Sequence, residues 1–273
     1  MDKIAVLDFG GQYAHLIANR IRRAGIFAEI ILPQNLVDPV AELRDFRGVI
    51  LSGGPQSVFD KNSPRVDSKI FEIKKPILGI CFGLQFFVDA LGGTVKKSAA
   101  AGEFGSAQLK ISGKSKLFSA VLKVSTAWMS HGDEVKKLPA GFEKIASTAD
   151  CGFAAIEDSA RQIFGVQFHP EVRHTEFGDK ILANFLALTK AKKSWDLDKF
   201  VRDEIAKIKK QVGKRKVFLL VSGGVDSTVA FALLEKALGK KRVFGLMIDT
   251  GLLRENEAIE VQKSLQKAGF ENL

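Results

Sequence analysis

Short apolar runs at residues 4–7, 27–32, 48–51 and 77–80 stand between stretches of helical period, and this alternation leaves little choice of fold. A strand of continuous apolar residues has both faces covered, and helices supply the cover, so the pattern predicts a parallel sheet. Between the first two runs, Leu16, Ile17 and Ile21 share one helical face, and the helix stops at Gly25. From residue 94 to 168 the runs shorten and alternate, as at 107–111, 144–147 and 162–168. That predicts antiparallel strands joining one edge of the sheet. A closing helix is expected over 177–188. The fold class predicted is α/β, a doubly wound, mainly parallel, flavodoxin-like sheet.

A boundary follows. Thr189-Lys190-Ala191-Lys192-Lys193-Ser194 is polar and cationic and has no apolar period. Beyond it an amphipathic helix is expected over Leu197–Val212, a strand over 217–221, a helix over 228–238 and a strand over 243–248. The chain is thus expected to hold one domain over residues 1–190 and the first part of a second, Rossmann-like α/β domain over 191–273. Two strands without neighbours make a poor core, and units under ~70 residues rarely hold one without staples. The second domain is expected to be truncated.

Hydrophobic content of 46% and charge of 26% are those of a globular protein. With no apolar run of membrane length and no cationic leader, a cytoplasmic protein without a membrane partner is expected. The 2 cysteines exclude a disulfide framework, and their spacing matches no zinc pattern. A net charge of +10 points to anionic partners. The basic clusters at 190–193, 207–216 and 240–242 lack interleaved aromatics, which favours phosphorylated small molecules over nucleic acid.

Gly79-Ile80-Cys81-Phe82-Gly83 lies between a strand and a helix. It has the form of a nucleophile elbow with cysteine in the serine position, where flanking glycines permit a tight turn and the helix N-terminus favours thiolate. His169-Pro170-Glu171 supplies a base and an orienter, because the proline biases His169 towards extended backbone and residues i and i+2 then point the same way. His131, with Asp133 two residues on, is the rival base; His15 and His174 lack such a partner and read as surface or structural. Ser52-Gly53-Gly54-Pro55 follows a strand and can offer backbone N–H groups to an oxyanion, with the Phe82 N–H as a second donor.

Residues 52–58, 79–85, 129–135 and 169–172 together resemble the class I glutamine amidotransferases, over residues 1 to about 190. The resemblance implies Cys81 as nucleophile, His169 as acid/base and Glu171 as orienter. It also implies oxyanion donors at Gly54 and Phe82, and glutamine contacts at Gln85, Ser130 and His131. The chemistry implied is a glutamyl-thioester, ammonia release and hydrolysis to glutamate.

Ser222-Gly223-Gly224-Val225-Asp226-Ser227-Thr228, again between strand and helix, fails the Walker pattern but is physically an anion site. It is similar to the pyrophosphate loop of ATP pyrophosphatases. That likeness implies ATP binding by Ser222, Gly223, Gly224, Asp226, Ser227 and Thr228, with magnesium carried in on ATP and Asp226 as its ligand. No tightly bound cofactor is implied. An amidotransferase followed by this loop, and by Ile248-Asp249-Thr250-Gly251-Leu252-Leu253-Arg254, resembles the GMP synthase family. The substrates implied are glutamine, ATP and XMP, with homodimerisation through a C-terminal region beyond this chain. Phe82 and Gly102 depart from that family's usual tyrosine and arginine. Two alternatives remain open on the sequence: an amidotransferase serving another acceptor, or a non-catalytic glutamine- or nucleotide-binding module.

Overall fold

In a computed structural model, the structure describes residues 1–98, 102–249, 251, 253–270 and 272. It forms two compact units, Met1–Trp195 and Asp196–Leu273. The first unit opens with β1 (Lys3–Leu7), α1 (Ala14–Arg23), β2 (Phe27–Ile31), α2 (Pro39–Glu42), β3 (Gly48–Leu51), β4 (Ile77–Ile80) and α3 (Phe82–Ala90). It continues through β5 (Thr94–Lys97), β6 (Glu103–Ile111), β7 (Val124–His131), β8 (Asp133–Lys137), β9 (Glu143–Ser147), β10 (Ala155–Asp158) and β11 (Ile163–Val166), and closes with α4 (Gly178–Leu188).

A 9-stranded sheet runs β2-β1-β3-β4-β11-β10-β9-β6-β7. Its β2-β1-β3-β4-β11 half is parallel, and β10, β9, β6 and β7 extend it antiparallel at one edge. The expected α/β class and its antiparallel edge are therefore present. The alternation of β1 explains the two-sided cover: Ile4 and Val6 join α1 and α4 in one core, while Ala5 and Leu7 join α3 in the other. One difference from expectation is the pair β5–β8, which forms a separate 2-stranded sheet instead of joining the edge. Another is β7, a full strand that the sequence pattern did not isolate. The polar stretch after residue 188 is held onto the first unit: Lys192 N donates to Asp2 Oδ2 at 2.9 Å and Trp195 N to Gly25 O at 2.9 Å. The Trp195 ring lies against Phe27.

The second unit contains α5 (Leu197–Val212), β12 (Val217–Leu220), α6 (Val225–Leu238), β13 (Val243–Leu246) and α7 (Glu257–Lys267). β12 and β13 pair in parallel as a 2-stranded sheet. Their core is small, centred on Val221, Phe231, Leu238, Val243, Leu265 and Phe270, while Phe218, Leu220 and Leu246 stay exposed. Thr250 and Leu252 of the 248–254 segment lie outside the described residues. Among the described residues no helix is long and apolar enough to cross a membrane.

Candidate active site

Ligand sites in open α/β sheets form beyond the carboxyl ends of the strands, where strand order reverses. Here the order reverses between β1 and β3, and the turns after β1, β3, β4 and β11 converge at that end. Cys81, the residue between β4 and α3, has φ 51° and ψ −105°, a conformation that side-chain-bearing residues rarely hold. Its N–H donates to Val166 O at 2.8 Å, which fastens the turn to β11. Both flanking glycines are required by close approach. A Cβ on Gly79 would meet the Gly83 carbonyl at 2.7 Å, and one on Gly83 would collide with the Leu51 carbonyl.

Ser52 ties three loops together. Its hydroxyl accepts from Phe9 N at 3.1 Å and donates to Gly53 O at 2.9 Å, while its carbonyl accepts from Gly83 N at 3.1 Å. Gly54 packs where a Cβ would meet Phe9 O at 2.7 Å, and Phe82 is the first residue of α3, so its N–H precedes the helical ladder. Gly53, which the sequence did not single out from its neighbour, is the glycine that leaves room for His169: a Cβ there would lie 3.0 Å from Cε1.

His169 follows β11. Its N–H donates to Trp128 O at 3.0 Å, and its carbonyl accepts from Thr175 Oγ1 at 2.6 Å. Nδ1 lies 2.7 Å from Glu171 Oε1, which leaves Nε2 free for the neighbouring Cys81, and the two side chains border the same pocket. Glu171 is fully buried, and its Oε2 has no partner among the described residues. A lone carboxylate so buried needs a counter-charge. Burial works to lower the His169 pKa, but the hydrogen bonds to Cys81 and Glu171 and the charges on both outweigh it and raise it to about 10. Thr175, which holds the His169 carbonyl and accepts from Trp128 N, had no sequence signal beyond lying six residues on.

Cys81 lies between two pockets. One of about 430 Å³ is bordered by Gly11, Tyr13, Gly53, Ser130 and His169; the other, of about 590 Å³, by Ser57, Gln85, Phe104, His131 and Asp133. The Ser130 carbonyl receives the Cys81 thiol at 3.5 Å. Gln85 spends its amide nitrogen on Asp133 O at 2.8 Å and Gln167 Oε1 at 3.2 Å, so any contact with a ligand falls to its oxygen. The rival base is otherwise engaged: His131 Nδ1 meets the Asp133 backbone carbonyl at 2.9 Å, and its Nε2 faces Glu103 Oε2 at 3.5 Å. The Asp133 carboxylate instead accepts from Ser57 Oγ at 2.5 Å. His15 and His174 are exposed.

In the second unit Gly224 caps α6, and Gly223 has φ 79° with Val261 packed so close that a Cβ would meet it at 2.5 Å. Ser222 Oγ lies 3.2 Å from Ser227 Oγ, and the hydroxyls of Ser227 and Thr228 donate to Gly224 O at 3.1 and 2.8 Å. Gly223 and Thr228 border a pocket of about 580 Å³ with Arg254 and Glu257, whereas Asp226 is exposed in the first turn of α6.

The family model of class-I glutamine amidotransferases matches residues 5–188, and that of NAD synthase matches 195–272. A probable GMP synthase (glutamine-hydrolyzing) of Leptospira interrogans is 47% identical over 99% of this chain and 44% of its own length. The GMP synthase of Enterococcus faecalis is 44% identical over 97% of this chain and 51% of its own. The chain thus spans about half the length of these curated relatives. A crystal structure from Thermoplasma acidophilum, of a protein named as a candidate GMP synthase subunit, superposes with a TM-score of 0.62 at 31% identity, covering 76% of this chain and 98% of the other.

Proposed function

This chain belongs to the class I glutamine amidotransferase family, and from that premise we propose that Cys81 hydrolyses glutamine to glutamate and ammonia. The observation that carries the reading is the grouping of Cys81, on an elbow with φ 51°, with a His169 whose Nδ1 is held 2.7 Å from Glu171 Oε1 at the edge of the same pocket. In this reading the Cys81 sulfur, as the thiolate partner of a protonated His169, attacks the side-chain amide carbon of glutamine, and the oxyanion turns towards the N–H groups of Gly54 and Phe82. His169, charged and steadied by Glu171, gives its Nε2 proton to the departing ammonia. It then takes a proton from the water that cleaves the thioester, which expels the sulfur as thiolate, frees glutamate and restores the thiolate–imidazolium pair. Glutamine would lie in the pocket walled by Gln85, Ser130 and His131.

The ammonia would serve the longer protein. Residues 1–190 form the amidotransferase domain in this proposal, and 191–273 begin an ATP pyrophosphatase domain. ATP, brought in with Mg²⁺, would meet the loop of Ser222, Gly223, Gly224, Ser227 and Thr228 at the N-terminus of α6, with Asp226 towards the metal. ATP would adenylate XMP with release of pyrophosphate, and ammonia would displace AMP to yield GMP. Support comes from the GMP synthases at 44–47% identity, which carry both segments in one chain.

A chloroketone analogue of glutamine tests the first half without needing the second. The expected result is one adduct, on Cys81, that glutamine suppresses and Cys81→Ser abolishes. Glutaminase turnover should fall by about four to six orders of magnitude in Cys81→Ala. Ammonia release from Cys81→Ala at the parent rate would overturn the assignment. For the second half, ATP-dependent ammonia use by the full-length protein should depend on XMP; dependence on a different acceptor would redirect the reading.

A further inference from the structure

Glu103 and His131 face each other across the β6–β7 ladder, so their side chains lie side by side on one face of the sheet. Cys151, from the loop between β9 and β10, joins them: Glu103 Oε, a His131 ring nitrogen and Cys151 Sγ all lie within 4.8 Å of one another. The three share no sequence spacing that would have brought them to notice.

The protonation pattern at His131 is informative. Its Nδ1 lies 2.9 Å from the Asp133 carbonyl, which can only accept, so Nδ1 carries the hydrogen. In the neutral ring Nε2 is then a bare lone pair. It is buried, makes no hydrogen bond among the described residues, and faces the Glu103 carboxylate 3.5 Å away. Two acceptors facing each other in a buried site call for a cation between them. A histidine fixed through Nδ1–H to a carbonyl, with Nε2 free, is also the usual orientation of a metal-binding imidazole.

The other two groups are braced in the same way. Thr148 Oγ1 donates to Glu103 Oε2 at 3.0 Å and accepts from Cys151 N at 2.9 Å, so one hydroxyl positions both the carboxylate and the cysteine backbone. Ligands of a tetrahedral zinc ion stand roughly 3.3–3.8 Å apart. The histidine–glutamate pair already meets that spacing. The thiol needs to move by no more than about 1 Å, within reach of a side-chain rotation.

We propose that Glu103, His131 and Cys151 form a binding site for one zinc-class divalent ion, with its fourth position open. On binding, the Cys151 thiol releases its proton to solvent and the thiolate, the imidazole Nε2 and the carboxylate share the ion. The ion clamps the end of β7 to the β9–β10 loop. Ser130, which receives the Cys81 thiol, is the residue before His131, so the clamp bears on the wall of the candidate glutamine pocket.

The test uses the whole 273-residue chain in a Cys81→Ser background, stripped with a chelator and titrated with Co²⁺. Because the sequence has 2 cysteines, any sulfur-to-cobalt charge-transfer band in this background reports Cys151 alone. The expected result is one ion per chain, that band together with tetrahedral d–d absorption, and displacement of both by Zn²⁺. Glu103→Gln should keep the band and weaken zinc binding by about 10–100-fold, and Cys151→Ser should lose the band. Absence of the band in the folded parent, or equal zinc affinity in a folded Cys151→Ser protein, overturns the proposal and leaves an imidazolium–carboxylate pair. Should Cys151→Ser not fold, the band and stoichiometry of the parent decide alone.

Discussion

Glu171 has no exposed surface and, among the described residues, a single side-chain partner, His169, and the consequences of that pairing are measurable. In the folded protein His169 keeps its proton to about pH 10, against roughly 6.5 in the unfolded chain. The folded state therefore binds an extra proton between those values. Its stabilising contribution is complete below about pH 6.5 and is lost as pH rises through 10. Urea midpoints measured from pH 6 to 10 should fall with pH. Glu171→Gln, which removes the counter-charge, should flatten that slope and bring the imidazole titration, read by NMR, back towards the ordinary range. A second residue-scale expectation separates the two thiols. Burial pushes Cys151 up to about 12, so in the metal-free protein at pH 8 a haloacetamide should modify Cys81 and leave Cys151 intact, as peptide mass mapping would reveal.

The elbow is the element on which the site depends. Gly83 lies against the Leu51 carbonyl, so Gly83→Ala must push α3 away from β3, with an expected loss of about 1–3 kcal/mol by denaturant titration and loss of chloroketone labelling. Ser52→Ala removes one hydroxyl that both accepts and donates, and should cost about 1 kcal/mol with the elbow intact. The elbow was legible in the sequence because its requirement is local: two glycines within two residues of a cysteine, between an apolar run and a helix. The parallel strands were legible for a similar reason, since cover on both faces gives unbroken apolar runs such as Gly48–Leu51 and Ile77–Ile80. β7 was not, because it alternates buried and half-exposed residues such as Ala127 and Trp128 and is defined by its register with β6. The β5–β8 pair was also hidden, because nothing local specifies that two short strands leave the main sheet. The side-chain constellation of Glu103, His131 and Cys151 depends on that same non-local register.

Across the whole molecule, stability is distributed unevenly. Every residue of β3 and β4 is buried, whereas β12 alternates half-buried and exposed positions over a small core. Native-state hydrogen exchange should accordingly leave the amides of β3 and β4 protected longest, and those of β12 and β13 should exchange first among the strands. Slow exchange in β12 to match β4 would contradict this ordering. The insertion of β11 beside β4 has a further consequence, in time. About 90 residues separate Cys81 from Glu171, and a ribosome adding 5–20 residues per second takes roughly 5–18 s to cross them. Throughout that interval the nascent chain carries its cysteine without the histidine, the glutamate or the strand to which the elbow is fastened. Competence as a nucleophile thus comes late in the synthesis of this domain, just after the final strand of the parallel half and ahead only of α4 and the stretch that follows it.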